Sequence, residues 1–152
     1  MQPLANSEQQ TSAELFTTFL SLMGKNIQAL MDLYAEDAVV EFPYASGTPR
    51  RLEGKKVISN YLKDALGQMQ GLTFTNIRVY ETTNLNVLWA EFHGEAVIIS
   101  TGRQYQQDYV TRLETKGGKI AYYCEYWNLM SAIEAWGGTQ NLHQSFNAED
   151  TE

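Results

Sequence analysis

Cysteine is almost missing from this 152-residue chain: Cys124 stands alone, so neither an intrachain disulfide nor a cysteine-rich metal site can form. Histidine is nearly as scarce. His93 and His143 are far apart, and His, Asp and Glu nowhere gather at ligand spacing, so no metal is expected. Positive charge is short too, with 11 Lys and Arg against 18 Asp and Glu and a net charge of -7. Lacking a basic stripe, the chain expects neither nucleic acid nor an anionic membrane as its partner. No apolar run approaches a membrane span, and the start, Met1 to Ser12, is polar rather than signal-like. A soluble, cytoplasmic protein is the expectation. Repeats, low-complexity tracts and a mid-chain linker are also lacking, which leaves one domain able to bury ~70% of its unfolded surface.

Aromatic residues, by contrast, are plentiful. Nine Tyr, six Phe and three Trp can line a sizeable cavity as well as fill a core. The ends read differently: residues 1–10 as a flexible N-terminus, 11–138 as the domain, and 139–152 as a polar tail with Leu142 and Phe146 as apolar anchors.

Thr11-Ser12-Ala13-Glu14 has capping-box spacing and predicts a helix start. Leu15, Phe16, Phe19, Leu20 and Met23 then form one apolar face, and Gly24 ends it. Asn26 caps a second helix with Ile27, Leu30, Met31 and Tyr34 on its buried side. Ala38–Phe42 reads as a short strand, closed by Pro43 and the Ser46-Gly47-Thr48-Pro49 loop. A third helix follows Gly54, with Val57, Ile58, Tyr61, Leu62, Ala65 and Leu66 facing inward. Beyond Gly71, four β-rich segments (Leu72–Tyr80, Val87–Ser100, Arg103–Thr115, Ile120–Asn128) are separated by turn signals. Helices with one strand among them, then a four-strand meander, make an α+β pattern.

Along the last segment Ala121, Tyr123, Glu125 and Trp127 share one face, and Ile120, Tyr122, Cys124 and Tyr126 the other. On the third segment Tyr105, Gln107, Tyr109, Thr111 and Leu113 are the more apolar set. Gln104, Gln106, Asp108, Arg112 and Glu114 form the solvated or interface set, which puts Tyr109 inside and makes Asp108 a surface charge. Alternation alone does not say which of Trp89-Glu91-His93 and Leu88-Ala90-Phe92 faces inward. The uniformly apolar set is placed inside, with Trp89 on the outer face. His93 then reads either as a proton shuttle or as an interface histidine. Phe16, Phe19, Tyr34, Tyr61 and Phe74 read as ordinary core.

Leu33-Tyr34-Ala35-Glu36-Asp37-Ala38-Val39 resembles the helix-to-strand junction of nuclear transport factor 2-like proteins, which include ketosteroid isomerase and the SnoaL-like polyketide cyclases. Tyr80-Glu81-Thr82, Trp89-Ala90-Glu91, Gly94-Glu95, Gly118-Lys119-Ile120 and Glu125-Tyr126-Trp127-Asn128 are similar to the phenazine biosynthesis A/B branch. The resemblance covers roughly residues 12–138. It implies a cystatin-like, cone-shaped α+β fold whose curved, antiparallel-rich sheet wraps the N-terminal helices around an internal pocket. It also implies a homodimer through the outer sheet face.

Steroid-isomerase parts are incomplete in this chain. The first-strand acid position holds Phe42, the first-helix phenol position reads Thr17 or Thr18, and the oxyanion-side acid falls at Asp108 or Tyr109. The phenazine-like glutamate matches Glu125, although the histidine that branch carries on its third helix has no counterpart. Between Tyr123 and Trp127 the Glu125 carboxyl would be desolvated and its pKa raised toward neutrality. The other reading pairs it with Arg112 or Arg103, a contact worth little.

The resulting expectation is cofactor-free acid/base chemistry (isomerisation, cyclisation, dehydration or condensation) on a small apolar carbonyl-type or cyclic molecule. Glu125 and Tyr109 would be catalytic, with Phe42, Tyr44, Tyr123 and Trp127 shaping the substrate pocket. The alternative is a non-catalytic binding protein or dimeric scaffold of the same fold.

Overall fold

The computed structural model describes residues 11–146, so the flexible N-terminus expected for residues 1–10 and the end of the tail lie outside the described residues. Helix α1 (Ser12–Leu22) starts where the capping box predicts, with the Glu14 N–H donating to Thr11 Oγ1 at 3.1 Å. It buries Leu15, Phe16, Phe19 and Leu20. The short helix α2 (Ile27–Met31) is capped by Asn26, whose Oδ1 accepts from the Ala29 N–H at 3.0 Å.

Tyr34 does not continue that helix. It opens strand β1 (Tyr34–Glu41), which pairs in parallel with the last strand at Ile120, beside an Ile120 N–H to Leu33 carbonyl bond of 2.8 Å. Spacing from Ile27, Leu30 and Met31 mimics a helical face, yet the sheet claims the residue. Strand β2 (Arg51–Glu53) pairs antiparallel with β1, and its Arg51 binds Glu41 at 2.7 Å and Glu53 at 2.8 Å. Three residues carry too little alternation to be read from sequence. Helix α3 (Lys55–Gly67) buries Ile58 and Ala65, but Val57 turns outward and is exposed, contrary to its expected place on the inner face.

The meander follows as β3 (Met69–Glu81), β4 (Val87–Ile98), β5 (Arg103–Lys116) and β6 (Lys119–Tyr126), and the six strands run β2-β1-β6-β5-β4-β3. Every neighbouring pair is antiparallel except β1 with β6. Edge strand β3 slips register against β4 between Gln70 and Thr73 and again between Thr75 and Arg78. Gly71 (φ 70°) and Asn76 (φ 53°) supply the positive φ at these irregularities. Such bulges bend a strand and deepen its twist, so the long sheet curls around the helices on one face.

Alternate residues of β4 are buried, which puts Leu88, Ala90 and Phe92 inside and Trp89, Glu91 and His93 outside. On β5 the inward set is Tyr105, Gln107, Tyr109, Thr111 and Leu113. Helix α4 (Leu129–Trp136), capped by Asn128, packs against β5. Helix α5 (Thr139–Ser145) lies in the segment read from sequence as a polar tail and docks there through Leu142 and Phe146. The interior thus has two clusters: a larger one under α1 and a smaller one where α4 and α5 meet α3 and β5.

Candidate functional site

A cavity of about 120 Å³ lies between the inner face of the sheet and helices α1, α3, α4 and α5. Phe42, Tyr109, Tyr123, Glu125 and Trp127 are in its wall. Parity sets the last three. Ile120, expected on the other face, is instead core at a register slip against β5; past that slip Tyr123 and Glu125 point into the cavity, and Trp127 follows just beyond the strand end.

Glu125 is the one ionisable carboxyl in this wall. Its Oε1 accepts from the Tyr123 hydroxyl at 3.0 Å, and no cation reaches it among the described residues. Arg112 is on the opposite face, paired with Glu114 and lying over the rings of Tyr122 and Trp89 at 4.8 and 5.7 Å. Arg103 donates to the Glu134 carbonyl at 2.9 Å. The ion-pair reading of Glu125 therefore fails. Burial disfavours the carboxylate and pushes Glu125 up to about 7, partly opposed by the Tyr123 hydrogen bond.

Tyr109 lies flat against Phe92, with ring centroids 4.9 Å apart and planes at 20°. Gly94 makes room for it, since a Cβ there would sit 2.9 Å from the Tyr109 ring and 3.2 Å from Phe74. Its hydroxyl makes no hydrogen bond among the described residues, and burial holds the phenol well above its ordinary value, with Tyr105 and Glu125 adding to the effect. Phe42 is buried against Tyr61 at 5.3 Å. Tyr44 is not with them. It is 62% exposed and packs edge-on against outer-face Tyr126 at 5.3 Å, because the chain turns after Phe42, with the Ala45 N–H donating to the Phe42 carbonyl. The expectation that Tyr44 forms pocket wall is therefore corrected.

The isomerase-like positions diverge further. Thr17 and Thr18 spend their hydroxyls on the α1 backbone, at Ala13 and Glu14, and Asp108 points outward to bind His93 Nδ1 at 2.7 Å. Four residues read as plain core (Phe19, Tyr34, Tyr61 and Phe74) line the cavity, as do Tyr105 and, from α4, Trp136. A cavity wall and a core look alike in sequence. Only Tyr105 carried a signal, through its parity with Tyr109. The Trp136 indole donates to Gln68 Oε1 at 2.8 Å and Gln68 donates to the Ser145 carbonyl at 3.0 Å, which ties both C-terminal helices down over the cavity.

As for metals, the nearest approach to a cluster is His93 with Asp108 and Glu95, where each ring nitrogen is already engaged by one carboxylate. Chemically, the cavity offers one half-buried carboxyl whose pKa is raised toward neutrality, ringed by phenols and lined by aromatic side chains. No helix among the described residues is long and apolar enough to cross a membrane.

Residues 15–123 match the SnoaL-like domain family. The chain is 38% identical over 135 residues to the protein YesE of Bacillus subtilis, across 88% of this chain and 92% of that one. To a PhzA/B-like protein of Pseudomonas aeruginosa it is 34% identical over 110 residues, 72% of this chain and 77% of the other. The crystal structure of a candidate isomerase from Bacillus subtilis superposes with a TM-score of 0.78 at 38% identity, covering 84% of this chain and 93% of that one. A phenazine biosynthesis-related protein from Pseudomonas aeruginosa gives a TM-score of 0.72 at 23% identity, covering 81% of this chain and 78% of its own. A candidate polyketide cyclase from Pseudomonas putida gives 0.74 at 18%, over 83% and 98%. These last two share architecture alone. With its family match and relatives spanning most of the described residues, the chain belongs to the SnoaL-like family and has the nuclear transport factor 2-like fold.

Proposed function

We propose that this protein is a cofactor-free acid/base enzyme that isomerises, cyclises, dehydrates or condenses a small apolar carbonyl-type or cyclic molecule. One observation carries the reading: Glu125, a carboxyl with no cationic partner, is held near pKa 7 inside an aromatic cavity. A group half-protonated near neutrality both accepts and returns a proton efficiently. The carboxylate takes a proton from a carbon beside the carbonyl, while the free Tyr109 hydroxyl donates to the carbonyl oxygen as charge builds on it. Protonated Glu125 then delivers the proton to another atom. Phe42, Tyr123 and Trp127 shape the space and keep water from the intermediate. Kinship with a candidate isomerase at 38% identity supports this class of reaction. At about 120 Å³ the space compares with the ~150 Å³ cavity that takes up benzene, which favours a ligand of one ring.

We propose in addition a homodimer through the outer sheet face, in the cytoplasm. Trp89 and Tyr126 stack there with centroids 6.5 Å apart, and Val110 is exposed beside them. Such a surface invites a covering partner. Sedimentation of the purified protein as a monomer would refute it.

The decisive test of the chemistry is a carboxyl-carbon NMR titration of Glu125, assigned with Glu125→Gln, followed by a turnover screen of single-ring ketones and aminoketones. A midpoint near 7 is expected. Turnover should fall at least ~100-fold in Glu125→Gln. A midpoint at or below the ordinary value would overturn the acid/base role. Saturable binding without product, unchanged in Glu125→Gln, would make the chain a non-catalytic ligand-binding protein instead.

A further inference from the structure

Gln107 is 1% exposed and lies on the inner face of β5, where every valence of its amide is used. Its Oε1 accepts from two backbone N–H groups, Asn128 at 2.8 Å and Asp108 at 3.1 Å. Its Nε2 donates to the Asn128 carbonyl at 2.9 Å and to the Tyr105 hydroxyl oxygen at 3.1 Å. The amide cannot be turned over without setting its NH₂ against two N–H groups, so the direction of the last bond is fixed. Tyr105 is therefore an acceptor toward Gln107, and its own proton must point elsewhere. Among the described residues no acceptor takes that proton. The ring itself is held, edge-on to Trp136 at 5.2 Å and 77°, with its surface in the cavity wall.

We propose that Tyr105, aimed by the buried amide of Gln107, is a second hydrogen-bond donor to the ligand oxygen, acting beside Tyr109. The inference rests on the carbonyl reading of the cavity given above. It adds to that reading a second donor and a positioning residue. Tyr105 and Tyr109 lie four residues apart on one strand face, near enough for each phenol to affect the ionisation of the other. Burial pushes Tyr105 up to about 12, and the bond its oxygen receives from Gln107 offsets part of that rise. Tyr34 and Tyr61 lack that relief and are pushed higher. A more acidic phenol donates more strongly to a developing oxyanion.

4-Nitrophenol tests this as a single-ring oxyanion mimic, with nitrobenzene, which lacks the hydroxyl, as the matched control. Binding of both is measured at pH 8, where 4-nitrophenol is ionised, to the wild type, Tyr105→Phe and Gln107→Glu. The Gln107→Glu carboxylate keeps volume and can accept the two backbone N–H groups, but it also accepts the Tyr105 proton and draws it out of the cavity. Each variant should lose roughly tenfold to a hundredfold in 4-nitrophenol affinity, the worth of one hydrogen bond to a charged group, and keep nitrobenzene affinity within about twofold. Variants that bind 4-nitrophenol within about twofold of wild type would overturn the donor assignment and leave the cavity reading standing. An equal loss of both probes would assign Tyr105 a packing role and also overturn it. Failure of the wild type to bind either probe would overturn the cavity reading together with this inference.

Discussion

Glu125 on β6 and His93 on β4 flank β5 from opposite faces of one sheet, and both have pKa values displaced upward. Their causes are opposite. Glu125 is raised by the loss of water, with no charge nearby to help it ionise. His93 is raised by gaining partners: chiefly its hydrogen bond to Asp108 at 2.7 Å, opposed by burial and helped further by Glu95 at 3.3 Å. The Asp108 side chain is 90% exposed, so the outer arrangement sits in water and is screened by salt. The inner arrangement answers instead to whatever occupies the cavity. One sheet thus carries an acid tuned by solvent exclusion and a base tuned by charge, and the difference is set by strand parity alone.

The largest expected effect lies on the inner face. Below about pH 4.5 folded and unfolded chains both keep the Glu125 proton, and the group adds no pH dependence. As pH rises toward 7 the unfolded chain loses the proton while the folded one holds it, so stability falls. Above 7 the full cost is in place. At about 1.4 kcal/mol per pH unit the gap amounts to at most about 3.5 kcal/mol, less whatever cavity water returns. Urea unfolding at pH 4.5 and pH 8 should show wild type losing stability relative to Glu125→Gln across that interval. Parallel pH profiles for the two proteins would mean that the carboxyl is solvated, and the contrast between faces would break there.

A middle-sized effect tests whether the faces are independent. Gly94 follows His93 on β4 but points inward, against Tyr109 and Phe74. Gly94→Ala should cost about 1–3 kcal/mol, because the added methyl must displace those rings. It should shift the Glu125 carboxyl resonance and leave the His93 titration where it was. Movement of both midpoints would show that the sheet transmits packing strain between its faces.

The parity that separates the two faces was legible in the sequence. Leu88-Ala90-Phe92 and Tyr105 through Leu113 alternate with polar residues over long strands, and that is enough to choose an inward set and to place Tyr109 inside with Asp108 outside. Caps at Thr11 and Asn26 were legible because side-chain oxygens at N-caps act within one turn. Non-local features were not. Tyr34 belongs to a parallel pairing with β6, and nothing within α2's period distinguishes it from a helical residue. Tyr44 faces outward because a turn after Phe42 resets the alternation. That Tyr34 and Tyr61 wall a cavity, while Phe16 fills core, depends on which neighbours leave space; hydrophobicity does not encode that. The cover formed by α4 and α5 was hinted at only by Leu142 and Phe146, four residues apart in an otherwise polar stretch.

The smallest effect is on the outer face. Asp108→Asn removes the partner that chiefly raises His93, so the imidazole midpoint, followed by NMR, should move down toward 6.5. A base whose folded pKa is raised stabilises the fold below its unfolded value, and this contribution disappears as pH rises through the raised midpoint. Asp108→Asn should therefore cost stability at pH 5.5 and nothing at pH 9. For so exposed a pair the cost is well under ~1 kcal/mol, and raising the salt should shrink it further. Salt should move the Glu125 midpoint much less, because loss of water rather than a neighbouring charge raises it. If salt shifted Glu125 as much as His93, the cavity would be open to bulk solvent, and solvent exclusion would no longer account for the acid on the inner face.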